Sequence, residues 1–93
     1  MHLTNDMKEL FRAFLSLETE KECSEFLEDL CTIKEIEQMT QRYAAAKLLS
    51  EGKTYEEVID KTEISSATLS RVSKCIKYGK GYKNIINKIS KKD

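Results

Sequence analysis

The apolar positions of this chain recur at three- and four-residue spacing almost from end to end, the period of helices with one buried face. A first helix over about residues 5–17 carries the stripe Leu3, Met7, Leu10, Phe11, Phe14 and Leu15, with Asn5 or Asp6 placed to cap its start. Thr19-Glu20-Lys21-Glu22 then reads as a capping box, hydroxyl to the Glu22 N–H and carboxylate back to the Thr19 N–H. The helix it opens sets Cys23, Phe26, Leu27, Leu30 and Cys31 on one face and Glu25, Glu28 and Asp29 on the other. A second box, Thr32-Ile33-Lys34-Glu35, begins the longest helix, residues 33–51, with Ile36, Met39, Tyr43, Ala46 and Leu49 inward. Gly52 follows it in the usual terminating position.

A third box, Thr54-Tyr55-Glu56-Glu57, opens a short helix with Val58 and Ile59 inward. Lys61-Thr62-Glu63 makes a turn, Ile64 plugs that turn into the core, and Ser65 or Ser66 caps the next helix. Leu69, Val72 and Ile76 form its inward face. Tyr78-Gly79-Lys80-Gly81-Tyr82 reads as a loop by its glycines. A last helix over about residues 82–89 shows Ile85, Ile86 and Ile89, and residues 90–93 are expected to be disordered. The expectation is six helices and no strand.

Composition agrees with an all-α chain: there is no Pro and only 3 Gly among 93 residues, whereas sheet proteins need both in their turns. The length predicts one domain over 1–93, and so short a chain gains from oligomerising. No apolar run approaches the roughly 20 residues of a membrane span. No basic-then-apolar leader is read at the start, so a cytoplasmic protein is expected. Cys23, Cys31 and Cys75 form no CxxC pair, and the single histidine is His2. They read as small buried hydrophobes in a reducing compartment, with no metal site and no cofactor.

Net charge is zero, but its distribution is uneven. Residues 1–52 hold 6 basic and 11 acidic side chains, and residues 53–93 hold 10 basic and 5 acidic. From Ile64 onward the count is 8 basic to 1 acidic. Such asymmetry points one half of the chain at a polyanion.

The basic half contains the two short helices of residues 54–77, the pattern of a helix-turn-helix whose second helix enters the DNA major groove. Small and hydroxyl side chains at the start of that helix allow close approach to base edges. Ser65, Ser66, Ala67, Thr68 and Ser70 meet that need, and Ala67 and Thr68 can touch a thymine methyl. Arg71, Lys74 and Lys77, with Lys80 and Lys83 beyond, are placed for phosphates. Two departures stand out: Glu63 where the turn usually has Gly, and Ile59 where a small residue usually faces the second helix. A somewhat wider turn would accommodate both.

Taken together, Thr32-x-x-Glu35, Gln41-Arg42 followed by AAAKLL, EGKTYEEV from Glu51, ATLSRV from Ala67, and Cys75-Ile76 followed by YGKGY resemble the tryptophan repressor superfamily. Within it, they look most like the TrpR-like YerC/YecD family. The resemblance covers nearly the whole chain. It implies a six-helix all-α subunit with a helix-turn-helix, forming an intertwined homodimer with Phe11, Phe14, Phe26 and Met39 at the interface. It further implies cytoplasmic repression of transcription at a near-palindromic double-stranded DNA site.

The family's corepressor site maps by motif onto Thr32, Arg42 and Arg71. Val72 and Cys75 stand where tryptophan-binding members have a glycine and a serine. A branched side chain where the ring should enter argues against tryptophan, leaving an effector pocket of unknown ligand. Glu56 replaces a DNA-contacting arginine, so the operator is not inherited.

The alternative reading is a protein-interaction module of the same fold that has lost DNA binding, favoured by Glu56 and Glu63 beside the motif. An enzyme is not expected: no Gly-rich phosphate loop, usable histidine or nucleophile–base pair is present.

Overall fold

A computed structural model describes residues 1–92, with side chains described through Lys91. Six helices and no strand occur among these residues: α1 Asn5–Leu15, α2 Glu20–Leu30, α3 Ile33–Ser50, α4 Tyr55–Thr62, α5 Ser66–Tyr78 and α6 Gly81–Lys92. The chain divides into two compact units, Met1–Ile36 and a second that begins at Glu37.

In the first unit, α1 is capped by Thr4, not by Asn5 or Asp6: the Met7 N–H donates to Thr4 Oγ1 at 3.1 Å. The helix stops two residues short of the expected end. Ser16 turns its hydroxyl onto the Ala13 carbonyl at 2.7 Å, a local bond that competes with helix continuation. Thr19 caps α2 by accepting from the Glu22 N–H at 3.1 Å. The Glu22 carboxylate, however, takes the N–H of Glu18 at 2.8 Å rather than that of Thr19.

Neither α1 nor α2 holds a fully buried residue. Their aromatic contact is Phe14 edge-on to Phe26, with centroids 5.4 Å apart and planes at 77°, a favoured aromatic geometry. A groove beside α2 and the start of α3 is lined by Cys23, Leu27, Ile33 and Ile36.

The second unit holds the core. Ala45, Ala46, Val58, Ile64, Leu69 and Val72 are buried, with Leu48, Leu49, Ile59, Ile76, Tyr82 and Ile86 packed around them. Ala45 and Ala46 are wholly inaccessible to solvent, and side chains that small let neighbouring helices approach closely. The end of α3 is closed by two backbone bonds, Lys53 N–H to Leu48 O at 3.1 Å and Gly52 N–H to Leu49 O at 3.0 Å. This is the Schellman pattern, and it requires the left-handed φ of 88° that Gly52 supplies without strain.

Two expectations about the C-terminal end are corrected. The glycine segment does not form a five-residue loop, because α5 runs through Tyr78 and α6 starts at Gly81. A Cβ at Gly79 would lie 2.6 Å from the Cys75 carbonyl oxygen, so glycine is what permits so short a link. Residues 90–92, expected to be disordered, continue α6; Asp93 lies outside the described residues.

Candidate nucleic-acid interface

Helix α4 is set by its cap. The Glu57 N–H donates to Thr54 Oγ1 at 3.2 Å, while the Glu57 carboxylate accepts from the Thr54 N–H at 3.3 Å and the Thr54 hydroxyl at 3.1 Å. The Thr54 N–H foremost, and then the Thr54 hydroxyl, hold the Glu57 carboxyl below its ordinary pKa of 4.5. The far end of α4 is fixed from α3: Gln41 Nε2 donates to the Thr62 carbonyl at 2.9 Å. Thr62 also folds back on itself, its hydroxyl donating to Val58 O at 2.7 Å and accepting from the Ile64 N–H at 3.3 Å.

The turn is tighter than expected. Lys61 and Thr62 complete α4, and Glu63 adopts the left-handed conformation, φ 59° and ψ 18°, a geometry that costs a non-glycine residue about 1 kcal/mol. Ile64 then drops into the core with 2% of its surface exposed, as the sequence pattern anticipates. Burying that branched side chain is the compensation for the strain beside it.

Ser65 caps α5. The Thr68 N–H donates to Ser65 Oγ at 3.2 Å, and the Ser65 hydroxyl donates to Thr68 Oγ1 at 2.9 Å. Of the residues predicted to face bases, Ser65 is therefore committed to the cap and Thr68 is half-buried beside it. Ser66, Ala67 and Ser70 stand exposed on the first two turns, and Arg71, Lys74 and Lys77 are exposed farther along. Lys77 Nζ rests 5.9 Å from the centroid of the Tyr78 ring.

Helices α1 to α4 each carry acids in the first turn, whereas α5 carries none. The positive end of its dipole is left without a counter-charge of its own, the condition that suits a phosphate.

Two residues of the inferred effector pocket share a groove. Arg71 and Cys75 line one groove of about 850 Å³. Val72 does not line it, being buried at 2% exposure beside Leu69. Arg42 is half-buried on α3 and likewise outside the lining. Thr32 belongs to the first unit, where its hydroxyl accepts from the Glu35 N–H at 3.1 Å and its own N–H donates to the Glu35 carboxylate at 2.8 Å. The Thr32 N–H foremost, and then its hydroxyl, hold the Glu35 carboxyl below its ordinary value.

The groove is also lined by Tyr43, Lys74, Tyr78, Tyr82 and Ile85, and by the two glycines Gly79 and Gly81. The sequence pattern puts Tyr43 on the inward face of its helix and Tyr78 and Tyr82 in a loop, so it does not bring the three together. The four-residue spacing of Tyr78 and Tyr82 across the two glycines was the available signal. The phenylalanines expected at a dimer interface keep much of their surface, 37% for Phe11 and 39% for Phe14, and Met39 of the second unit keeps 37%. Among the described residues no group of His, Cys, Asp and Glu is placed to hold a metal, and no helix is long and apolar enough to cross a membrane.

The sequence model of the Trp repressor protein family matches residues 5–90 of this chain. The chain belongs to the Trp repressor family. This is a family of transcription regulators, and the six-helix subunit is its fold. Two crystal structures superpose closely on this Trp repressor family member. A candidate Trp repressor from Staphylococcus aureus does so with a TM-score of 0.91 at 36% identity, covering 95% of this chain and 89% of the other. A TrpR-like protein from Eubacterium eligens does so with a TM-score of 0.90 at 41% identity, covering 94% and 91%. The uncharacterized protein YerC of Bacillus subtilis is 45% identical over 74 residues, 80% of this chain and 71% of YerC.

Proposed function

We propose that the chain is a sequence-specific DNA-binding transcriptional repressor that recognises a near-palindromic operator as a homodimer through α4 and α5. The observation that carries this reading is α5 itself. It has no acid in its sequence, exposes Ser66, Ala67 and Ser70 at its start, and follows them with exposed Arg71, Lys74 and Lys77. In this reading the small side chains meet base edges and the cations meet phosphates. The 93 residues act as a single cytoplasmic subunit. The exposed Phe11, Phe14 and Met39, with Phe26 beside Phe14, support pairing with a second copy.

Tryptophan is not its corepressor, because Val72 is committed to the core at the position where a tryptophan site needs glycine. The groove shared by Arg71 and Cys75 leaves room for a different effector.

A gel-shift series with the purified chain tests the proposal. With about four phosphates neutralised per protomer, log K falls with log salt at a slope near −7. Arg71→Ala or Lys74→Ala should weaken binding, and affinity indifferent to salt and to both changes would overturn the reading. The second reading, a protein-interaction module, rests on exposed Glu56 and Glu63 flanking the motif. Recovery of one protein partner without enrichment of genomic DNA would favour it.

A further inference from the structure

Helix α6 carries more positive charge than a solubilising face needs, and its arrangement is regular. From Lys80 to Lys92 there are 5 basic residues and no acid. A face that only keeps a protein soluble mixes both signs, as every helix from α1 to α4 does here. The residues at 90–92, which read from sequence as a solvated tail, are instead helical.

The Asn84 N–H donates to the Lys80 carbonyl at 3.0 Å, which ties Lys80 into the start of this helix. Lys80, Asn84, Asn87 and Lys91 then fall at i, i+4, i+7 and i+11, one stripe on the helix, with Lys83 and Lys88 on its two sides. All six are exposed. On the opposite side, Tyr82 and Ile86 pack against the core. The helix is also placed near the recognition element, because α6 packs on α5 and only Gly79 and Lys80 separate them.

From these observations we propose that the polar face of α6 is a second DNA-contacting surface, which lies along the phosphate backbone beyond each half-site. The inference rests on the DNA-binding reading of α5. Lys80 to Lys91 spans about 16 Å at 1.5 Å per residue. That length matches about five base pairs at 3.4 Å each. The surface is suited to phosphates and not to bases: its donors are long, flexible ammonium groups and two amides. It therefore lengthens the footprint and raises affinity without adding sequence preference.

The test uses the full chain and the duplex it selects from a random-sequence library, measured by fluorescence anisotropy over a salt series. A core duplex of about 20 base pairs covers two half-sites one turn apart. An extended duplex adds about five base pairs of arbitrary sequence at each end, the reach of α6. The variant is Lys83→Gln/Lys88→Gln/Lys91→Gln, exposed changes whose fold is checked by circular dichroism.

The wild-type chain should bind the extended duplex at least about tenfold more tightly than the core, whatever the flanking sequence. If all three lysines of both protomers meet phosphates, the variant should lose that gain and show a salt slope shallower by about 5. Equal binding of both duplexes by the wild type, a variant with the wild-type slope, or a gain that depends on flanking sequence would each overturn the proposal. The core duplex keeps the two readings apart. If it is bound and weakened by Arg71→Ala while α6 changes nothing, only the α6 proposal fails; if no duplex is selected at all, both do.

Discussion

Gln41 of α3 donates a side-chain hydrogen bond of 2.9 Å to the Thr62 backbone carbonyl, at the point where α4 ends and the turn begins. The last carbonyls of a helix have no partner within it, and this partly buried one is satisfied by an amide 21 residues earlier. The bond joins the first half of the motif to the longest helix. Gln41→Leu keeps the bulk and removes the donor, so it should cost about 1–2 kcal/mol of unfolding free energy. Urea denaturation reads this directly, and an unchanged midpoint would show that water replaces the amide.

Glu63 offers the opposite sign. Its left-handed backbone is strained for any residue with a Cβ, so Glu63→Gly should stabilise the chain by up to about 1 kcal/mol. In a domain of this size that raises Tm by roughly 4–8 °C. Glu63→Val should lower it, since branching at Cβ worsens the same clash. A thermal melt in which both substitutions move Tm the same way would contradict the assignment of strain.

Gly79 should not tolerate even alanine. The added Cβ would stand 2.6 Å from the Cys75 carbonyl oxygen, and backbone on both sides leaves little to give. A loss of about 1–3 kcal/mol is expected, as for other overpacked sites. The paired control is Gly81→Ala, where a Cβ meets nothing within 4 Å.

Acid should weaken the fold through two capping carboxylates. Glu35 and Glu57 are held below the ordinary 4.5 by the N–H and hydroxyl of Thr32 and Thr54. A folded-state pKa below the unfolded one means that the charged form is favoured by folding. Their contribution is therefore full above about pH 4.5 and is lost as pH falls through the depressed values. Glu35→Gln/Glu57→Gln should flatten the stability profile below pH 4.5, as followed by denaturation at a series of pH values.

Tryptophan should not bind. Val72 is buried at 2% exposure, so it can neither rotate away nor leave the space that glycine would. Isothermal calorimetry of the wild-type chain should return no heat at millimolar tryptophan. Micromolar binding would mean that α5 shifts to open a site at Val72.

The helices, and the caps at Thr19, Thr32 and Thr54 that start α2, α3 and α4, were legible in the sequence because their determinants are local. The Thr–Glu boxes at Thr32 and Thr54 act within one turn, the apolar period marks the inward face of each helix, and Gly52 closes α3 through bonds spanning a few residues. The inward roles of Val58, Ile64, Leu69 and Val72 followed from that same period. What the tertiary structure decided depends on groups far apart in sequence. Only packing brought Gln41 to Thr62, and burial of Ile64 holds Glu63 in a conformation that its own preferences oppose. Arg71 and Cys75 joined Tyr43 and Tyr82 in one groove when α5 met α3 and α6, and Val72, their neighbour in sequence, went to the core. Residue spacing assigns a side chain to a face of its helix; which neighbour covers that face depends on how the helices pack.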